Sequence, residues 1–287
     1  MTTERAYVFD GTQADSELKR LRMLEAVFDP GTRELVLAAG LDRGMRCLEI
    51  GAGAGSIAAW MAEVVGPTGQ VAAVDLSTRF LQTTSVANLA IHEADICTAE
   101  LQPASFDIAH ARFVFIHVPD WQIALTNVLR LLKPNGRLIV EEPDFSVSRA
   151  VAGDPVRRRA FGRVHEAIRA MFTTRHMDHA FGLTLPDIFT VRDLDMLTLE
   201  NDAPIVRGGT PLASMMGLSA HQLREKYVAT GLATAEDIEC YRAFAADEKC
   251  WAIYHGTVRA LGTKRVSDGA SNRALPADGA CAPPLNA

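Results

Sequence analysis

Residues 47–55 read Cys-Leu-Glu-Ile-Gly-Ala-Gly-Ala-Gly, and residues 71–77 read Val-Ala-Ala-Val-Asp-Leu-Ser. The first stretch is a short apolar strand with an acid near its end, running into a glycine turn, and a helical segment, Ser56 to Val65, follows it. The second is another apolar strand that also ends in an acid. Glycines let a backbone pass close to a ligand where a side chain would collide. A strand-turn-helix unit aims backbone N–H groups at that ligand. Asp75 lies 20 residues past Gly55, where a carboxylate can hold both hydroxyls of a ribose.

The surrounding chain extends the pattern. Residues 45–142 alternate strand and helix, which predicts a parallel sheet with helices on both faces. Leu89 to Ala94 reads as a third strand and Phe106 to Ala111 as a fourth. A helix starts at Asp120, and the Pro134-Asn135-Gly136 turn leads into a fifth strand through Glu142.

Glycine spacing then separates two cofactor classes. A dinucleotide fingerprint is Gly-x-Gly-x-x-Gly. Here Gly51, Gly53 and Gly55 form Gly-x-Gly-x-Gly behind Glu49, and position 56 is Ser. This arrangement resembles the nucleotide-binding motif of class I S-adenosylmethionine (SAM)-dependent methyltransferases of the bacterial small-molecule type, and the resemblance extends to about residue 142. It implies an α/β, Rossmann-like, doubly wound and mostly parallel seven-stranded sheet. An N-terminal helical layer and a helical insert after strand five would accompany that sheet. By the same resemblance SAM is the cofactor. The turn Gly51-Ala52-Gly53 with Gly55 would face its methionine part, and Glu49 would sit near the amino group. Asp75 with Leu76 would hold the ribose, and Asp95 with Ile96 the adenine. His110 and Arg112, at the end of strand four, would border the methyl group and the cofactor carboxylate. Tyr7 would fold over the cofactor, as N-terminal tyrosines do in related enzymes.

The flanks divide accordingly. Residues 1–44 read as an N-terminal helical layer: Leu18, Leu21, Leu24 and Phe28 recur at helical spacing, and Pro30-Gly31 ends the run. A second helix, about Thr32 to Ala39, closes at Gly40. Residues 45–142 are the cofactor-binding core, and 143–185 form a helical cap over the carboxyl edge of the sheet. Residues 186–264 read as the remainder of the core, with a strand near Asp193 to Glu200, helix starts at Ser219 and Thr234, and a last strand over Trp251 to Leu261. Residues 265–287, rich in Ser, Asp, Gly, Ala and Pro, predict a disordered tail.

Composition removes several classes. The 287 residues carry a formal net charge of −6, which argues against a general nucleic-acid binder. No apolar run is long enough to span a bilayer, and the first ten residues lack the features of a signal peptide. Five cysteines without a Cys-x-x-Cys predict reduced thiols in a cytoplasmic protein. The expected partner is a small-molecule acceptor, with neither nucleic acid nor membrane, and a homodimer is compatible with the composition.

Methyl transfer from a sulfonium requires alignment and exclusion of water, and a hydroxyl or carbon acceptor also requires a base. His110, Glu142 and Asp144, at the ends of strands four and five, are the candidates. Glu141 and Glu142 point to opposite faces of their strand, so at least one should reach the cleft. Arg112 suits an anion or a structural ion pair equally, and His117 suits a structural hydrogen bond. His176 and His179 lie at i, i+3 spacing, but no third ligand motif accompanies them and no metal is expected. The rival readings are a methyltransferase acting on protein or nucleic acid and a SAM-fold protein catalysing a non-methylating reaction. Against nucleic acid, the site after strand four reads Ala-His-Ala-Arg-Phe and not Asn/Asp-Pro-Pro-Tyr.

Overall fold

Helix α1 (Ala14–Ala38) runs for 25 residues without a break. The expected stop at Pro30-Gly31 does not occur. Proline removes one helical N–H bond, but Arg112 holds both flanking residues, donating to Asp29 Oδ1 at 2.9 Å and to Thr32 Oγ1 at 2.7 Å. The helix ends where glycine permits it: Gly40 has φ 78°, and its N–H reaches the Leu37 carbonyl at 2.8 Å. The computed structural model describes residues 8–9, 11–81 and 86–265. Tyr7 and the tail from residue 266 onward therefore lie outside the described residues.

The main sheet is built from β1 (Arg46–Ile50), β2 (Gln70–Asp75), β3 (Leu89–Glu93), β4 (Phe106–Arg112), β5 (Leu132–Asp144), β7 (Leu194–Asp202) and β10 (Gly256–Lys264). Its order is β3-β2-β1-β4-β5-β10-β7. The neighbours from β3 to β5 pair in parallel, and β10 runs antiparallel to both β5 and β7. Chain order reverses between β1 and β4, which is the point at which open α/β sheets bind ligands. Helices α2 (Ser56–Val65) and α3 (Trp121–Leu131) complete the alternation. The Pro134-Asn135-Gly136 turn lies within β5. Pairing with β4 jumps from Leu132 to Arg137, and Asn135 takes φ 60°.

Residue alternation sorts the two faces. Cys47, Ile108, Ile139 and Leu261 pack with α1 and α2, while Leu48, Ala109 and Val140 enter the larger core on the other side.

A second body sits over the carboxyl edge. It contains β6 (Arg149–Ala152), α4 (Pro155–Thr174), β8 (Val206–Arg207), α6 (Pro211–Gln222), α7 (Arg224–Val228), α8 (Ala235–Ala246) and β9 (Trp251–Ile253). Strands β6, β9 and β8 form a small sheet of their own. Helix α4 packs on α8, α6 on α8, and α1 on α6. The cap is thus made of two chain segments, one on each side of α5 (Leu185–Val191) and β7. Of the span 186–264, α5, β7 and β10 belong to the core, and the helices between the two strands belong to the cap. Their apolar residues, Tyr241 and Phe244 among them, meet Phe161 of α4.

Local signals set the cap helices. Asp154 accepts the N–H groups of Val156 and Arg157 ahead of Pro155 at the start of α4. Helix α8 starts at its cap residue Thr234, as expected, and Thr234 and Asp237 form a reciprocal capping box there. Ser219 is not a helix start. It lies inside α6, where its hydroxyl donates to the Met215 carbonyl at 2.9 Å, a bond that satisfies the hydroxyl within a helix. The expected last strand is two strands, β9 and β10, in different sheets, broken at Tyr254-His255. The described cysteines 47, 97, 240 and 250 are free thiols. Burial, aided by the nearby Asp107 and Glu49 charges, pushes the Cys47 thiol up to about 12.

Candidate functional site

A cavity of about 510 Å³ lies at the carboxyl ends of β1, β2 and β4, beneath the cap. Binding sites for small ligands commonly have this size. The glycine turn forms one wall. Gly51, Gly53 and Gly55 take φ 66°, 57° and 90°, a region open to glycine but strained for other residues. A Cβ on Gly51 would fall 2.4 Å from Val114 Cγ2, so this glycine lets the β1 turn pack against the loop after β4. Gly51, Ala52 and Gly53 line the cavity. Gly55 does not; it turns the chain into α2.

Asp75 closes the second turn onto the first. Its Oδ2 accepts the Gly53 N–H at 2.9 Å and its Oδ1 accepts the Ser77 N–H at 3.0 Å. Burial raises its pKa, and these backbone donors oppose the rise. A carboxylate oxygen can accept more than one bond, and Asp75 lines the cavity. Leu76 lines the same wall and is 56% exposed, leaving an aliphatic face open to a flat ligand. Asp95 and Ile96 line the cavity too, and Asp95 Oδ1 accepts the Cys97 N–H at 2.8 Å.

Glu49 reaches the cavity from below and leads into a buried charge row. His110 Nδ1 lies 2.7 Å from Glu49 Oε2, and its Nε2 lies 3.0 Å from Glu141 Oε1. Both partners are acceptors, so the ring carries both protons. Burial draws the His110 pKa down, but the Glu49 and Glu141 carboxylates outweigh it and hold it up at about 9. Thr32 Oγ1 donates to Glu141 Oε1 at 2.5 Å, and Arg259 Nε donates to Glu141 Oε2 at 3.2 Å. Arg112 continues the row through Thr32 to Asp29.

This geometry corrects the expected base. His110, Glu142 and Asp144 are all fully buried, and none of them lines the cavity. His110 has no free lone pair to accept a proton. Glu141 and Glu142 do point to opposite faces, but neither reaches the cavity. Glu141 is drawn under α1 by the charge row. Glu142 accepts the backbone N–H groups of Val114, Phe115 and Ile116 at 3.1, 2.7 and 3.3 Å. Burial pushes Glu142 up to about 8 against those three donors. Asp144 Oδ1 takes the Ser146 N–H, and its Oδ2 has no partner. Arg112 lines the cavity and makes the structural ion pair of its second reading, to Asp29.

His117 lines the cavity, stacked on Phe172 at 6.0 Å. Burial, with the charges of Arg20 and Arg175, pulls its pKa down to about 3, so the ring is neutral. His176 and His179 do not line the cavity, and no metal-holding cluster occurs among the described residues.

The cap supplies the rest of the lining; the sequence offered Met171 and Phe172 for an apolar pocket, or equally for ordinary core, but not the others. Ile168, Met171 and Phe172 come from α4, and Met215 and Met216 from α6, with Phe113, Phe145 and Leu223 beside them. The polar groups among them include the buried Arg20–Glu17 pair, joined at 2.7 Å, and His255. His255 is flanked by Tyr254 and Gly256 at the β9–β10 junction. A break placed at Gly256 would have exposed it, because an antiparallel strand begins at the ligand-binding edge.

The comparisons with known proteins bear on the family and the fold. Residues 48–140 match the family described as a methyltransferase domain. A demethylmenaquinone methyltransferase from Staphylococcus aureus is 31% identical over 108 residues, covering 36% of this chain and 45% of that protein. An uncharacterised 37.1 kDa protein of a Streptomyces fradiae transposon is 30% identical over 145 residues, covering 48% and 42%. The chain thus matches less than half the length of these curated relatives. Among solved structures, a candidate methyltransferase from Bacillus halodurans superposes with a TM-score of 0.55 at 15% identity, over 82% of this chain and 98% of the other. The YcgJ protein from Bacillus subtilis does so with a TM-score of 0.50 at 19% identity, over 82% and 100%. These two likenesses bear on the fold. No helix among the described residues is long and apolar enough to cross a membrane.

Proposed function

We propose, from the premise that residues 48–140 are a class I SAM-dependent methyltransferase domain, that this chain moves a methyl group from SAM to a small, largely apolar acceptor. The observation that carries the reading is the tie between Asp75 and Gly53 at one wall of a cavity whose other walls are aromatic and methionine side chains. The acids Glu49, Asp75 and Asp95 line the polar part, with the exposed Leu76 between them, and these groups fit a charged amino acid joined to a nucleoside. In this reading Asp75 holds the ribose, Asp95 and Ile96 the adenine, Leu76 packs on its flat face, and Glu49 meets the ammonium group.

When bound, SAM supplies a methyl group on a sulfonium that already leaves readily. The chain's own work is to align the acceptor with that methyl and to exclude water. The cap serves both needs, since its α4 and α6 side chains cover the sheet edge. The relative from Staphylococcus aureus is named for a quinone precursor, which supports a small apolar acceptor here. Incubation with SAM carrying an isotope-labelled methyl, in the presence of an extract's small-molecule fraction, tests the reading by mass spectrometry. Label appearing in a small molecule supports it. Label found only in protein or nucleic acid, or retained wholly in SAM, contradicts it.

A further inference from the structure

His255 stands on the cavity wall and belongs to neither the glycine turn nor the buried charge row. Its ring is packed among Phe28, Phe113 and Phe145, with centroids at 5.9, 5.9 and 5.5 Å. Its Nδ1 lies 2.8 Å from the Gly256 carbonyl. A carbonyl can only accept, so Nδ1 carries the proton and Nε2 carries the lone pair. Among the described residues no hydrogen bond reaches Nε2. The ring therefore has a fixed orientation, a fixed tautomer and an acceptor nitrogen at an apolar cavity.

Its position relative to the glycine turn is also set. Phe113 packs edge-on against the His255 ring, and the next residue, Val114, packs against Gly51. One short loop thus forms the wall shared by the glycine turn and His255. Behind His255, Gly256 pairs in register with Asp144, whose buried Oδ2 is unpartnered. Burial lowers the affinity of His255 for a proton, while the Gly256 carbonyl and the Asp144 charge support it. His165 also bears on this ring electrostatically.

We propose that His255 is a catalytic residue: its Nε2 takes the proton from the hydroxyl of a flat, apolar acceptor as that oxygen receives the methyl group. Asp144 is a positioning residue, favouring through its charge the imidazolium that results. The inference rests on the methyltransferase reading above. In the step, the acceptor O–H bond breaks and its proton goes to Nε2. An oxygen lone pair forms the O–CH3 bond, the S–CH3 bond breaks, and its electron pair stays on sulfur. The imidazolium then releases its proton to solvent. The aromatic and methionine walls suit a planar apolar ring system, and a base beside it suits a hydroxyl, since many amines need none.

The test uses 2,4-dinitrophenolate, a planar oxyanion that mimics the acceptor after proton loss. It is titrated into the full chain saturated with S-adenosylhomocysteine, near neutral pH, in buffers of different ionisation enthalpy. An oxyanion facing Nε2 requires the imidazolium, so binding should take up about one proton per probe. His255→Gln should bind S-adenosylhomocysteine as the parent does, bind the probe at least tenfold more weakly and take up no proton. Asp144→Asn should keep the probe site but lower the NMR titration midpoint of His255. A parent that binds S-adenosylhomocysteine but not the probe, or that binds it without proton uptake, overturns the assignment, as does undiminished uptake in His255→Gln. A parent that fails to bind S-adenosylhomocysteine at all overturns the methyltransferase reading instead.

Discussion

His110 donates through Nδ1 to Glu49 at 2.7 Å, both side chains buried on the α1 face of the sheet. The pair joins neighbouring strands two residues before the glycine turn begins, because Glu49 and His110 are register partners of β1 and β4. With Glu141 on the far side of the ring, the imidazolium lies between two buried carboxylates, and Glu141 also pairs with Arg259. The row fixes the floor of the cavity.

Removing the ring should therefore be read in stability before activity. His110→Ala should cost about 3–5 kcal/mol in urea unfolding, the range for breaking a buried ion pair by deleting one partner. A cost under about 1 kcal/mol would show that the row is dispensable.

The same ring sets a pH window. Its pKa is about 9 in the folded chain against 6.5 for an unperturbed histidine. The folded state holds the proton over more of that window than the unfolded state does, so the contribution is complete below 6.5 and fades as pH rises through 9. Unfolding free energy should fall from pH 6.5 to 9 in the parent, and His110→Gln should flatten that slope. An unchanged slope in the variant would assign it to other groups.

Glu142 is predicted to behave as a brace. Glu142→Gln should cost about 1–3 kcal/mol of stability, since an amide cannot satisfy all three N–H donors of residues 114–116. Chemical denaturation of the variant beside the parent measures this. Full stability in the variant would return Glu142 to the list of candidate bases.

Gly53→Val should abolish SAM binding with the fold retained. The position has φ 57°, and a Cβ there meets nothing closer than Leu21 Cδ2 at 3.5 Å, so a branched side chain would strain the turn and project toward the cavity. Circular dichroism reports the fold and equilibrium dialysis the binding. Parental affinity would place the ligand elsewhere.

What the sequence disclosed was local. The turn after β1, Asp75, Asp95 and the strand-helix alternation are each decided within a few residues, and each appears at the expected place. The opposed faces of Glu141 and Glu142 were legible as well, from strand alternation alone. That neither would reach the cavity was not, because Thr32 and Arg259, which hold Glu141, lie 109 and 118 residues away in the chain. Pro30 misled for the same reason: its helix survives through an Arg112 contact 83 residues away, at Asp29. His255 was hidden by continuous apolar sequence on both sides, which reads as one strand where the chain changes sheets. The cap helices after β7 carried no signal that would separate them from core, since they pack on α4, on α1 and on one another and not on the main sheet.

The central claim is that the Gly51–Gly55 turn and Asp75 form a SAM site. Calorimetric titration of SAM into the parent and Asp75→Ala, with NADH as a control ligand, tests it most directly. The account predicts saturable SAM binding to the parent, a loss of about 1.5–3 kcal/mol of affinity in Asp75→Ala, the value of a hydrogen bond to a charged group, and no binding of NADH. Equal SAM affinity in parent and variant, or binding of NADH in place of SAM, would contradict it.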